Sequence, residues 1–223
     1  WQEPMPEGWQ RWVFDEYEMP YDTLHDADIR GGALSGYDVL LFQAQDAQSI
    51  REGYDQGELP ERYTGGLAHQ GIAAVKAFVE NGGRVIAIEA ATEFVADLFD
   101  LDISKSTEGL SNTDFYIPGS ILRLELDTSS QINQGMRSEV SSWYWRSSMA
   151  YEVNDSRVRV AARYGSGDPL LSGWVLGGEH IAGKPAILEV DIGDGSLVLF
   201  GFQPNYRAQT VATWPLLFNA IRK

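Results

Sequence analysis

Two short segments place polar side chains where chemistry could be done. The first is Ile88-Glu89-Ala90-Ala91-Thr92, which joins an apolar run to a helix-like stretch with almost no connection. A turn that sharp lifts one side chain above a sheet, beside the amides of a helix start. This is the arrangement of a nucleophile elbow, and it needs small neighbours such as Ala90 and Ala91. The side chain presented is Glu89. It could act as a base, bind a cation, or be held ionised by amide donors in a structural role. The second segment is Gly201-Phe202-Gln203-Pro204-Asn205, which follows the last apolar run and leads into Tyr206-Arg207-Ala208-Gln209-Thr210. Arg207 could grip a carboxylate bidentately, pair with Glu89, or fasten a loop. Gln209 stands beside it. In open α/β sheets ligands bind outside the carboxyl ends of the strands, and both segments are expected there.

Other candidates are weaker. The run Trp143-Tyr144-Trp145-Arg146 puts aromatic faces beside a guanidinium, which suits sugar or peptide recognition, a domain interface, or plain core packing. The loop Tyr164-Gly165-Ser166-Gly167 lacks the lysine and spacing of a phosphate-binding loop and reads as a turn. Ser147 and Ser148 have no histidine motif near them. His25, His69 and His180 are far apart and show no metal-ligand spacing, so no metal site is expected in this chain. The absence of cysteine removes thiolate nucleophiles, thiolate metal ligands and disulfides together.

These candidates need a scaffold, and the apolar pattern supplies one. Helices are expected over 7–17, with Pro20 beyond, over 67–80, from about Thr92, and over 209–221. Buried strands are expected at 37–42 and 84–88, with a polar, glycine-containing loop over 43–66 between the first strand and the second helix. Asn81-Gly82-Gly83 is a helix stop. Strand, helix, strand, helix with short joints predicts a parallel sheet covered on its faces, hence a doubly wound, mainly parallel α/β fold. The second half adds antiparallel strands. Segments 121–126 and 157–161 alternate in polarity, and Gly193-Asp194-Gly195 marks a hairpin between 186–190 and 196–200. A single domain over residues 1–223 is the expectation. Such a fold normally opens on a strand, whereas here a helix comes first and the chain begins at Trp1 without an initiator Met. Further sequence is therefore expected upstream.

The charge balance bears on partners. With 32 acidic and 17 basic residues the formal net charge is −15, which would repel a phosphate backbone, so nucleic acid is not an expected partner. No run approaches the ~20 apolar residues of a membrane-spanning helix.

The segment Gly201-Phe202-Gln203-Pro204-Asn205 resembles the Gln-Phe-His-Pro-Glu pattern that ends the corresponding strand in class I glutamine amidotransferases, with Phe202 and Pro204 matching. The resemblance puts Glu89 at the elbow cysteine, Gln203 at the histidine and Asn205 at the glutamate, so all three catalytic positions are changed. Nucleophile, base and orienting carboxylate act as a unit, and amidotransferase chemistry is excluded by their joint loss. Strings along the chain sharpen the match. Met5-Pro6-Glu7-Gly8-Trp9-Gln10-Arg11-Trp12, Asp26-Ala27-Asp28-Ile29-Arg30, Phe115-Tyr116-Ile117-Pro118-Gly119-Ser120, Leu170-Leu171-Ser172-Gly173-Trp174 and 201–210 together resemble the amidotransferase-like domain found C-terminal to the catalytic domain of bacterial secreted zinc carboxypeptidases.

That resemblance implies a flavodoxin-like, glutamine amidotransferase-like fold and a larger parent with a signal peptide and a zinc carboxypeptidase domain upstream. Zinc and peptidase activity would belong to that domain, which would be the partner of this one. The chain itself would be a secreted or periplasmic, non-catalytic accessory domain without a cofactor of its own. The alternatives are an oligomerisation or carbohydrate- or peptide-binding module, with Glu89, Arg207, Gln209, Trp143 and Trp145 as ligand-binding candidates, or a hydrolase using Glu89 and Arg207.

Overall fold

The computed structural model describes residues 5–222. In chain order its helices and strands are α1 (Met5–Glu16), α2 (Asp26–Arg30), β1 (Val39–Phe42), α3 (Ala47–Glu52), α4 (Ala68–Glu80), β2 (Arg84–Ile88), α5 (Ala91–Leu98), β3 (Ile103–Lys105), β4 (Ser120–Leu126), β5 (Glu139–Tyr144), β6 (Tyr151–Val153), β7 (Val158–Tyr164), β8 (Leu170–Ser172), β9 (Pro185–Ile192), β10 (Gly195–Phe200) and α6 (Trp214–Ile221). No helix among the described residues is long and apolar enough to cross a membrane. The chain divides into two compact units. One runs to Leu101 and includes Asp191–Leu197; the other comprises Asp102–Val190 and the chain from Val198 onward.

The first unit carries the parallel part of this mixed α/β fold. β1 lies parallel to β2 in the register Val39↔Arg84 through Phe42↔Ala87, and β10, whose first residues belong to this unit, follows β2 in the strand order. Val85 to Ile88 are completely buried, as an apolar run covered on both faces must be. α4 buries Val75 and Val79, and α5 buries Phe94 and Val95. The edge of the Phe94 ring meets Phe42, with centroids 5.5 Å apart. α4 stops where Gly82 takes φ 104°, a left-handed position that a side chain would strain. The Gly83 N–H then returns to the Phe78 carbonyl at 2.8 Å.

Within the expected loop over 43–66 the structure adds one helix, α3. The Asp46 carboxylate caps it, accepting from the Ser49 N–H at 2.8 Å and the Ser49 hydroxyl at 2.6 Å. These bonds, the hydroxyl's first, hold the Asp46 carboxyl below its usual range. α3 has six residues and buries only Ile50, so apolar periodicity could not reveal it.

The second unit carries the antiparallel additions. β4 is its centre. β5 pairs along one side, from Ser120↔Tyr144 to Glu125↔Glu139; β7 and β8 share the other. β7 also pairs with β9, and the last residues of β10 follow β9 in the order. Burial along β4 alternates strictly, with Ser120, Leu122, Leu124 and Leu126 inward, as its sequence requires. β3 and β6 form a separate two-stranded ribbon. The last helix is shorter than its apolar pattern. Residues 206–208 and 211–213 are 3-10 turns, and regular helix begins at Trp214 with Pro215 in its first turn. Pro215 fits there because its missing N–H would have no intrahelical partner.

Candidate functional site

The elbow in the first unit is built by the β2–α5 joint. β2 ends at Ile88 and α5 starts at Ala91, so Glu89 and Ala90 must reverse the chain between them. Glu89 does so with φ 49°, a left-handed conformation that costs a non-glycine residue about 1–3 kcal/mol. The turn is closed on the Glu89 carbonyl, which accepts from the Thr92 N–H at 2.9 Å and the Thr92 hydroxyl at 2.7 Å. Ala91 and Thr92 are buried, which is why small residues are needed. The Glu89 side chain is only 1% exposed. A carboxylate here can accept hydrogen bonds or a proton, but it cannot supply a thiolate.

A second polar group lies at this end of the parallel strands, one that the motifs above do not mark. Gln43 follows β1 directly, is buried, and donates its amide to the Gln10 side-chain oxygen of α1 at 3.2 Å. The Gln10 amide nitrogen is itself buried, with no partner among the described residues. The sequence signal for this pair is a glutamine directly after the apolar run Val39–Phe42, at a strand's carboxyl end.

In the second unit, Phe202, Gln203, Pro204, Asn205 and Tyr206 are all buried, and the chain turns outward at Arg207, Ala208 and Gln209, which are exposed. Arg207 and Ala208 make the turn with φ 51° and 52°. Thr213 holds the buried stretch from behind: its hydroxyl bonds to the Pro204 carbonyl, with the Thr210 carbonyl 2.9 Å away. Asn205 is 3% exposed, and its amide nitrogen has no partner among the described residues. Gln203 and Asn205 carry amides, which neither take up nor release a proton at neutral pH. The positions that would need an imidazole and a carboxylate therefore hold groups that cannot relay one.

The aromatic run 143–146 is divided by the alternation of β5 and the turn after it. Tyr144 faces the core beside Tyr164, with ring centroids 5.3 Å apart. Trp143 is half-buried and lies over Gly119, where an added Cβ would stand 2.7 Å from the ring. The buried Trp143 ring nitrogen has no partner among the described residues. Trp145 stacks on Tyr206, centroids 5.1 Å apart and planes at 33°, so it joins the 202–209 segment. Arg146 is exposed and turns to Tyr116 instead. Ser148 is buried and accepts the Trp145 N–H, so it closes this turn.

The glycine loop at 164–167 is filled by the protein's own anion. The Ser166 N–H and hydroxyl donate to the Glu125 carboxylate at 2.8 and 3.0 Å, which holds that carboxyl below its usual range. Among the described residues no group of three His, Asp or Glu side chains is placed to hold a metal ion.

No family model matches the chain, and no curated protein matches it in sequence. Solved structures do match. A GMP synthase-like protein from Thermoplasma acidophilum superposes with a TM-score of 0.58 at 14% identity, over 99% of this chain and 87% of that one. A cytoplasmic protein of Salmonella typhimurium gives 0.58 at 13%, over 96% and 84%. A GH42 β-galactosidase from G. stearothermophilus gives 0.56 at 13%, over 96% of this chain and 25% of the enzyme. Likeness at this identity establishes the fold, which is glutamine amidotransferase-like.

Proposed function

We propose that this chain is a non-catalytic accessory domain of a secreted zinc metallocarboxypeptidase, in which the amidotransferase site has been retired. The observation that carries the first part is the content of the three triad positions. Glu89 occupies the strained apex of a nucleophile elbow, while Gln203 and Asn205 are buried amides with no imidazole between them. Taken position by position, none of the three carries the thiol, imidazole or orienting carboxylate that amidotransferase chemistry uses as a unit. The second part is supported by the sequence strings that resemble the domain following bacterial zinc carboxypeptidases. On that resemblance, zinc and proteolysis would belong to the upstream domain.

A related reading is that the domain serves assembly or ligand binding within a larger protein. It is favoured by the β-galactosidase comparison, where a unit of this fold forms a quarter of a longer enzyme. The parent is tested by sequencing the gene upstream of Trp1. A signal peptide followed by a zinc carboxypeptidase domain is the expected result. A start codon within a strand's length of Trp1 overturns the accessory role.

A further inference from the structure

We infer that Tyr116, Arg146 and Trp174, three residues of the second unit outside the degenerate triad positions, form a binding site for a neutral sugar ring. The inference does not depend on the accessory role proposed above.

Trp174 is 51% exposed, yet both of its backbone polar groups are bonded. The buried Ser120 hydroxyl donates to the Trp174 carbonyl at 2.7 Å and accepts its N–H at 3.0 Å. Gly173 before it takes φ 105° against Ser120, so close that an added Cβ would stand 2.5 Å from the hydroxyl oxygen. Two residues later, Leu176 exchanges both backbone hydrogen bonds with Tyr116, at 3.0 and 3.1 Å. The two rings stand 5.9 Å apart with their planes at 58°. The backbones that carry both rings are therefore held by hydrogen bonds, while the Trp174 ring stays half in water. An aromatic face on a held backbone has less ordering cost to meet when a ligand arrives.

Arg146 completes the group. Its guanidinium lies 5.9 Å from the centre of the Tyr116 ring, and one of its nitrogens donates to the Tyr116 hydroxyl at 3.3 Å. In a chain with nearly twice as many acidic as basic residues, this exposed arginine has no acidic partner among the described residues. Its remaining N–H donors are open, in the planar fork that matches a pair of adjacent oxygens. A pyranose offers both complements: a C–H face for the aromatic rings and vicinal hydroxyls for the fork. Net charge selects among sugars. At −15 the chain disfavours an acidic polysaccharide and equally a second copy of itself, which leaves a neutral ring as the best-matched occupant.

Affinity electrophoresis of the whole chain tests this, in gels containing galactan, xyloglucan, mannan or mixed-linkage glucan, with polygalacturonate alongside. Retardation by at least one neutral polysaccharide is expected. Trp174→Ala should weaken it about tenfold or more, the scale of one lost aromatic contact of ~1.4 kcal/mol. Arg146→Met, which keeps an aliphatic stem but no donors, should weaken it as well. Trp12→Ala, at an exposed tryptophan of α1, should leave it unchanged. Circular dichroism melts of each variant separate lost binding from lost folding. Three results overturn the inference: no retardation by any neutral polysaccharide, retardation by polygalacturonate alone, or retardation that survives in a folded Trp174→Ala. Concentration-dependent self-association abolished by Trp174→Ala, without sugar binding, also overturns it and makes the face a protein interface.

Discussion

Replacing Glu89 by alanine and by glycine isolates the backbone of the elbow. Both substitutions delete the buried carboxylate, so whatever the side chain contributes cancels in the comparison. What differs is the cost of φ 49°. An L-residue in the left-handed region costs roughly 1–2 kcal/mol that glycine does not incur. Against this, glycine loosens the unfolded chain by about 0.4–1 kcal/mol. Taken at mid-range, about 1.5 against about 0.7 kcal/mol, the balance leaves Glu89→Gly more stable than Glu89→Ala by about 0.8 kcal/mol. At an ordinary strand or helix position the order is reversed, with alanine ahead by about 0.5–1 kcal/mol. Urea unfolding of the two variants under one set of conditions measures the difference directly, provided their m-values agree. An alanine variant equal to or more stable than the glycine variant would mean that the joint is not a strained elbow, and the alignment of Glu89 with a nucleophile would fail with it.

Further outcomes follow from named contacts. Thr213→Val removes a buried hydroxyl that donates to the Pro204 carbonyl and should cost about 1–3 kcal/mol. Thr213→Ser, which keeps the hydroxyl, should cost less; calorimetry showing serine the worse substitution would contradict the role given to the hydroxyl. Phe94→Ala should lose about 3–5 kcal/mol in chemical denaturation, since the ring is completely buried against Phe42, and a loss under 1 kcal/mol would contradict that packing. Asp155 is held well below the usual carboxylate range by the Arg157 guanidinium and N–H. A depressed folded value means its contribution is present above the ordinary value near 3.8 and is lost as pH falls toward the folded one. The difference in Tm between wild type and Asp155→Asn should therefore be steady from pH 7 to about 5 and shrink below about 4. A difference that widens in acid would refute this.

The parts legible in the sequence are those whose signals are local. The β2–Glu89–α5 joint is readable because an apolar run, two alanines and an apolar-faced helix leave room for one sharp turn only. The Gly193-Asp194-Gly195 hairpin and the alternation of β4 are equally local. α3 is hidden because one buried isoleucine and a capping aspartate carry too little periodicity to stand out. The strand β5 is obscured by the aromatic run at its end: Trp143, Tyr144 and Trp145 read as a cluster, whereas strand alternation and the turn after Tyr144 send them to different neighbours. The start of α6 is misplaced by its apolar spacing, which cannot show that Thr213 ties residues 210–213 into a turn first. Least legible of all is the group at Tyr116, Arg146 and Trp174. Trp174 is tied to Ser120 of β4 and its neighbour Leu176 to Tyr116, contacts between residues far apart in the chain that no local pattern announces.

Retirement of the amidotransferase positions is tested by measuring glutaminase turnover of the purified chain beside its Glu89→Ala variant. Ammonia release from glutamine at the buffer rate is expected for both proteins. Turnover by the wild-type chain that Glu89→Ala abolishes would contradict it and make Glu89 a catalytic residue.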